Sequence, residues 1–169
     1  AITTKSASES RMEALANFVA VQSDAALRQV AGCYAYDNNS AVEGELSLRS
    51  NADEINDQLE QKLAERLDMA EANIADMENA LAELKKHYTG DMADVDTIEQ
   101  NIEPIRTTLQ HFRAAAEKHD AEGAFKIYKS EMLPELQAIQ SATQNICEYE
   151  KITAEEMYRE AENRANMTA

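Results

Sequence analysis

Hydrophobic residues recur along this chain at steps of three and four, the spacing that places side chains on one face of an α-helix. The clearest run extends from Ile55 to Tyr88, and a second from Val95 to Ala116. Longer and less regular runs occupy the beginning and the end of the chain. The pattern therefore predicts four amphipathic helices, at about residues 4–36, 51–88, 92–118 and 121–168.

Polar, turn-forming residues separate these runs, at 37–40, 89–91 and 119–120. Asn51 and Glu54 resemble a capping box at the start of the second helix. Pro104 and Pro134 fall inside the third and fourth helices, where a proline removes one backbone hydrogen bond and favours a kink. The breaks and the runs together predict helices joined by short connections.

Four striped helices with short connections bury their stripes most economically as one all-α, antiparallel up-down-up-down four-helix bundle. The chain has only 4 glycines, 2 prolines and 5% aromatic residues, and this composition favours helices over sheets. We expect a single domain over residues 1–169, with long first and fourth helices. In this topology both chain ends lie at the same pole, which suits insertion between two membrane-spanning helices.

The net charge of −16 opposes binding to nucleic acids or to anionic lipid surfaces, because both carry negative phosphates. The chain has no apolar run of the about 20 residues needed to cross a bilayer. We expect it to be a fragment whose membrane segments, if any, lie outside it. Of the seven methionines, Met69, Met77 and Met157 lie on or beside the stripes and are predicted to fill the core.

Catalytic and metal-binding motifs are missing from the sequence. None of His87, His111 and His119 stands three residues after a glutamate, the spacing that di-iron bundles use. We therefore predict no enzymatic activity, no metal and no cofactor. Cys33 and Cys147 should lie at heights about 15 Å apart in the bundle, too far for a disulfide.

The C-terminal half carries a family resemblance. The stretches 119–128, 131–136 and 149–158 combine an acidic turn, an interior proline and a long helical run. They resemble the last helix of the four-helix-bundle sensor domain of bacterial methyl-accepting chemotaxis receptors. The resemblance implies an extracytoplasmic (periplasmic or extracellular) domain of an inner-membrane receptor, anchored by segments outside this chain and forming a homodimer. It also implies a small ligand between helices one and four, whose binding shifts a helix across the membrane.

The sequence departs from the aspartate-sensing members of that family, which grip the ligand carboxylates with several arginines on helix one. Arg28 is the only arginine between Ala20 and Tyr36, and an acid, Glu135, follows the proline. The acids instead favour a cationic or zwitterionic ligand, because Glu131 and Glu135 repel each other and an amine would relieve that. The candidate ligand-binding residues are Asp24, Arg28, Gln29, Glu131 and Glu135.

Four alternatives stay open at this point. Arg28 could instead anchor an organic acid, or the acidic residues could form only a solvated surface. The same module could serve a histidine kinase rather than a chemoreceptor. A structural or adaptor bundle that binds another protein fits the same hydrophobic pattern.

Overall fold

The computed structural model describes the backbone of residues 2–39 and 54–168, and the side chains of residues 10–33 and 60–167. Its elements, in chain order, are α1 (Ile2–Asn39), α2 (Glu54–His87), α3 (Met92–Glu117), α4 (Ala121–Ile127), a π-helical turn (Tyr128–Met132) and α5 (Leu133–Thr168). The described residues contain no strand. The predicted all-helical fold class is confirmed.

Side-chain and backbone caps set the ends of α3 and the start of α4. Asp91 accepts a hydrogen bond from the Ala93 N–H at 2.9 Å, which caps the first turn of α3. His119 has a left-handed φ of 57°, and the Asp120 N–H then donates to the Ala115 carbonyl at 2.9 Å. Asp120 also caps α4. The breaks predicted at 89–91 and 119–120 therefore lie where the helices change.

Neighbouring helices run in opposite directions. Between α1 and α2, Arg11 contacts Glu83 and Gln29 contacts Arg66, so residue numbers rise on one helix as they fall on the other. The same reversed order joins α2 to α3 and α3 to α5, through Glu78–Arg106, Lys85–Glu99, Thr108–Glu135 and Asp94–Asn145. The Cys147 thiol lies 3.3 Å from the Asn17 side-chain oxygen. The middle of α1 therefore packs beside the first half of α5.

The predicted stripes form the core where side chains are described. In α2 and α3 the buried side chains include Leu67, Ile74, Met77, Leu84, Ile98, Ile105, Leu109 and Phe112. Met69 is 52% exposed, so its predicted place in the core is wrong. One residue separates it from the buried Leu67, and it belongs to the outer face of α2. In α5 the buried stripe ends at Glu150, and beyond it Met157 and Ala161 are half-buried.

The described helix limits differ from the sequence expectation by up to three residues, and the fourth helix is interrupted. α1 continues to Asn39, past its predicted end near residue 36, and the connection that follows it lies outside the described residues, as does Asn51 of the predicted capping box. The fourth helix begins at Ala121 as predicted, but a π-helical turn interrupts it just before Pro134. By contrast, α3 continues through Pro104 as one α-helix.

Candidate functional site

The π-helical turn leaves a gap in the hydrogen-bond ladder of the fourth helix. The Leu133 N–H donates to the Tyr128 carbonyl, five residues back rather than four. Pro134 has no N–H, so it cannot supply the next bond. The Lys129 carbonyl would take its donor from residue 133 or 134, and neither offers one within the helix. We call this carbonyl, together with the side chains of Glu131 and Glu135, the acidic break.

Glu135 is anchored to α3 by a side-chain bond. The buried hydroxyl of Thr108 donates to the two carboxylate oxygens of Glu135 at 2.8 and 3.3 Å. Burial raises the pKa of Glu135, the Thr108 bond opposes that shift, and the charge of Glu131 adds to it. The acidic break therefore holds a half-buried carboxylate whose charge the surroundings do not fully compensate.

Replacing Glu135 by glutamine is expected to raise the melting temperature near pH 7 by about 1 to 3 °C. A carboxyl whose folded pKa is raised is favoured when protonated, so its contribution is fully present below its unfolded pKa and is lost as the pH rises through the folded value. Glutamine keeps an acceptor for Thr108 and never ionises. The gain should fade as the pH falls below 4.5, the ordinary value for this group. Calorimetry across pH measures this, and a gain that grows in acid would contradict it.

The candidate ligand-binding residues of α1 form bonds with each other and with α2. Asp24 and Arg28 form an ion pair one helical turn apart, with a distance of 2.8 Å from the Arg28 Nε to the carboxylate. The Gln29 side-chain oxygen accepts a bond from Arg66 of α2 at 3.2 Å. The Arg66 guanidinium lies directly against Gly32, where any side chain would meet it. Nothing in the hydrophobic pattern singles out Arg66, because its position depends on how α1 and α2 pair.

The structure distributes the five candidate residues over two places. Glu131 and Glu135 belong to the acidic break, and Glu135 faces α3. Asp24, Arg28 and Gln29 lie on α1. Among the described side chains, no hydrogen bond or ion pair links this trio to the two glutamates. The acidic break is therefore the part of the predicted site that the geometry assembles.

Two surface cavities lie away from these residues. One of about 470 Å³ opens between α1 and α5 and is lined by Glu13, Asn17, Cys147 and Lys151, among others. Burial and the Glu13 charge both raise the pKa of the Cys147 thiol, which keeps it in its unreactive protonated form. Another of about 370 Å³ lies between α2 and α3 beside Arg113, which is bonded to Asp68 and Glu71. Neither cavity offers an activated nucleophile.

The remaining chemistry is sparse in the part of the chain that the structure describes. No three histidine, cysteine or acidic side chains there are placed to hold a metal ion. Cys33 and Cys147 are thiols that are not joined in a disulfide. None of the helices searched combines the length and the apolar character needed to span a bilayer.

Comparison with known proteins adds no relative. The chain matches no protein-family model, and neither a curated protein nor a solved structure shows significant similarity to it. The geometry of the acidic break and the fold are therefore the features from which a function can be proposed.

Proposed function

We propose that this domain is the extracytoplasmic ligand-sensing domain of a membrane-anchored chemoreceptor, with no catalytic chemistry of its own. It binds a small amine or zwitterion at the acidic break and transmits a helix shift towards the membrane. The observation that carries the proposal is Glu135, a half-buried carboxylate that lies one turn after a second acid and just after the π-helical turn. Such a group of acceptors suits a cation.

The chemistry of the acidic break favours an ammonium group over a carboxylate. An ammonium has three N–H donors and no acceptor. Glu131, Glu135 and the Lys129 carbonyl offer acceptors, and charge-assisted bonds to carboxylates are the stronger kind. A carboxylate ligand would add a third negative charge at the same place. Arg28, the alternative anchor for an acid, already has its charge paired with Asp24.

The fold offers a direct route for the signal. α5 begins at Leu133, beside the acidic break, and continues without interruption to Thr168. α1 contacts α5 at Asn17 and Cys147, and the alternating helix directions run α5 opposite to α1. Helix shifts of about 1 to 2 Å are sufficient to change packing at such interfaces. A histidine kinase could use the same input domain.

Amines are expected to raise the melting temperature, and organic acids are not. At a concentration about 100 times the dissociation constant, binding stabilises by about 2.7 kcal/mol, a rise of about 5 to 10 °C for a chain of this size. Replacing both Glu131 and Glu135 by glutamine should abolish the rise caused by amines. Glu148→Gln, an exposed acid elsewhere on α5, should leave it intact. A panel in which only organic acids stabilise the wild type would overturn the proposed ligand class.

An adaptor bundle is the second candidate, and exposed apolar side chains favour it. Phe18 and Val21 are exposed on α1, and Met69 on α2. A partner protein would cover these side chains, and so would the second copy in the homodimer that we propose for the sensor. Sedimentation velocity with and without amine separates the two, because a sensor dimer should tighten with ligand and an adaptor should not respond.

A further inference from the structure

The π-helical turn brings two buried residues of the fourth helix, Ala124 and Leu136, onto the same helix face. Leu136 stands twelve residues after Ala124, and both are buried. In an uninterrupted α-helix, twelve residues would turn these two side chains about 120° apart. A π turn takes up one extra residue, because its bonds reach five residues back instead of four. Ala124 and Leu136 then differ by only about 20° and share one face.

Phe125 is the residue that this arrangement leaves outside. It follows Ala124 directly and is 49% exposed, with its ring near Tyr128 and Lys129. Phe125 stands eleven residues before Leu136. If the turn closed to regular α-helix, these eleven residues would place Phe125 on the same face as Leu136. Phe125 would then point where Ala124 now points. The same sequence therefore offers two apolar residues for one core position.

We propose that the fourth helix has two registers. In the register described above, the turn is open and Ala124 is in the core. In the other, the turn Tyr128–Met132 closes to α-helix, and α4 rotates by one residue, about 100°, to exchange Ala124 for Phe125.

Opposing features set the balance between the two registers. The space around Ala124 suits a methyl group, so a phenyl ring would have to displace its neighbours. Pro134 also favours the open turn, because in regular helix its ring would clash with the Ser130 carbonyl, which would lose its donor. The closed register gains the burial of an aromatic ring that is now half in water. The change is confined to α4, the closing turn Tyr128–Met132 and the turn at His119 and Asp120.

The test uses the three phenylalanines as probes. In protein labelled with 4-fluorophenylalanine, each of Phe18, Phe112 and Phe125 gives a ¹⁹F signal, and its shift between H₂O and D₂O reports contact with solvent. Pro134→Ala should move the ratio of registers by up to about 100-fold, the size of the proline penalty in a helix interior. The Phe125 signal should then move to a buried position and lose at least half of its solvent shift. Pro104→Ala, the matched control in α3, should leave it unchanged.

Two deletions provide a test that does not depend on the probe. Deleting Ser130 removes the extra residue, so the turn closes while Ala124 stays in the core. Because Pro134 then lies in regular helix, this variant should unfold cooperatively about 10 °C or less below the wild type. Deleting Gln144 from continuous α-helix rotates everything beyond it out of phase and should cost far more. An unchanged Phe125 signal in Pro134→Ala, or a Ser130 deletion as damaging as that of Gln144, would overturn the proposal.

The two registers do not require a ligand, so they can be established even if the proposed amine binding fails. If that binding holds, it is coupled to the register, because Glu131 lies within the turn and Glu135 follows it at the start of α5. Closing the turn changes the spacing of the two carboxylates. An amine that bonds to both would therefore favour one register over the other.

Discussion

Replacing Phe112 by alanine is expected to lower the free energy of unfolding by about 3 to 5 kcal/mol. The ring lies on α3 with no solvent exposure and is among the largest fully buried side chains. Its removal loses the transfer free energy of the ring and leaves a cavity that a bundle of rigid helices closes only in part. Domains of this size are stable by about 5 to 15 kcal/mol, so the variant should lose a large share of its stability. Urea denaturation followed by circular dichroism measures the change.

Phe18→Ala is the matched control for this variant. Phe18 lies on the outer face of α1 and is 41% exposed, so its truncation should cost less than about 1 kcal/mol in the monomer. A Phe112→Ala variant with an equally small cost would contradict the packing described for α3. A large cost at Phe18 that grows with protein concentration would show that a second chain covers this residue.

The hydrophobic pattern predicts α2 and α3 well because each helix has one regular stripe. Ile74, Met77 and Leu84 are buried at the steps that the sequence indicates, and so are Ile98 and Ile105. Periodicity depends only on local geometry, so it can be read without knowing the partner of each helix. The polar residues at the breaks act just as locally, since Asp91 and Asp120 bond to backbone groups of their own turns.

The fourth helix shows where periodicity stops being sufficient. Between Ala124 and Leu136 the sequence leaves a choice between Ile127 and Tyr128 for the stripe, and the structure half-buries both. That ambiguity marks the extra residue that the π-helical turn absorbs. A pattern search that assumes one constant period cannot place such a residue, although Pro134 close by is a signal that the ladder must change.

The acidic break is predictable only in part from the sequence. Glu131 and Glu135 stand out by charge and by their closeness to a proline. Thr108 does not, because it meets Glu135 only through the alignment of α3 with α5. Arg66 and Gln29 likewise meet through the alignment of α1 with α2. Contacts between helices depend on register and rotation, which a single sequence does not specify.

Glu150 is a buried acid that the hydrophobic pattern does not include in the core. The predicted stripe of the fourth helix passes from Ile146 to Ala154, and Glu150 lies between them at the same four-residue spacing. Its side chain is 1% exposed, and neither carboxylate oxygen has a hydrogen-bond partner among the side chains and backbone that the structure describes. Burying a carboxyl group without a partner costs stability. It occupies the last buried layer of α5.

Glu150→Leu is therefore expected to raise the free energy of unfolding by about 2 to 4 kcal/mol, because leucine fills the same layer without an unpaired polar group. Glu150→Gln should gain less, since the amide still lacks partners. Glu148→Leu is the matched control: this residue is exposed on the same turn of α5, and its change should be within about 0.5 kcal/mol of zero. Urea denaturation compares the three variants. A loss of stability in Glu150→Leu would mean that the carboxylate is bonded in solution. A gain would mean that Glu150 weakens the packing of α5 at the end of the core, a weakness that the proposed helix shift would use.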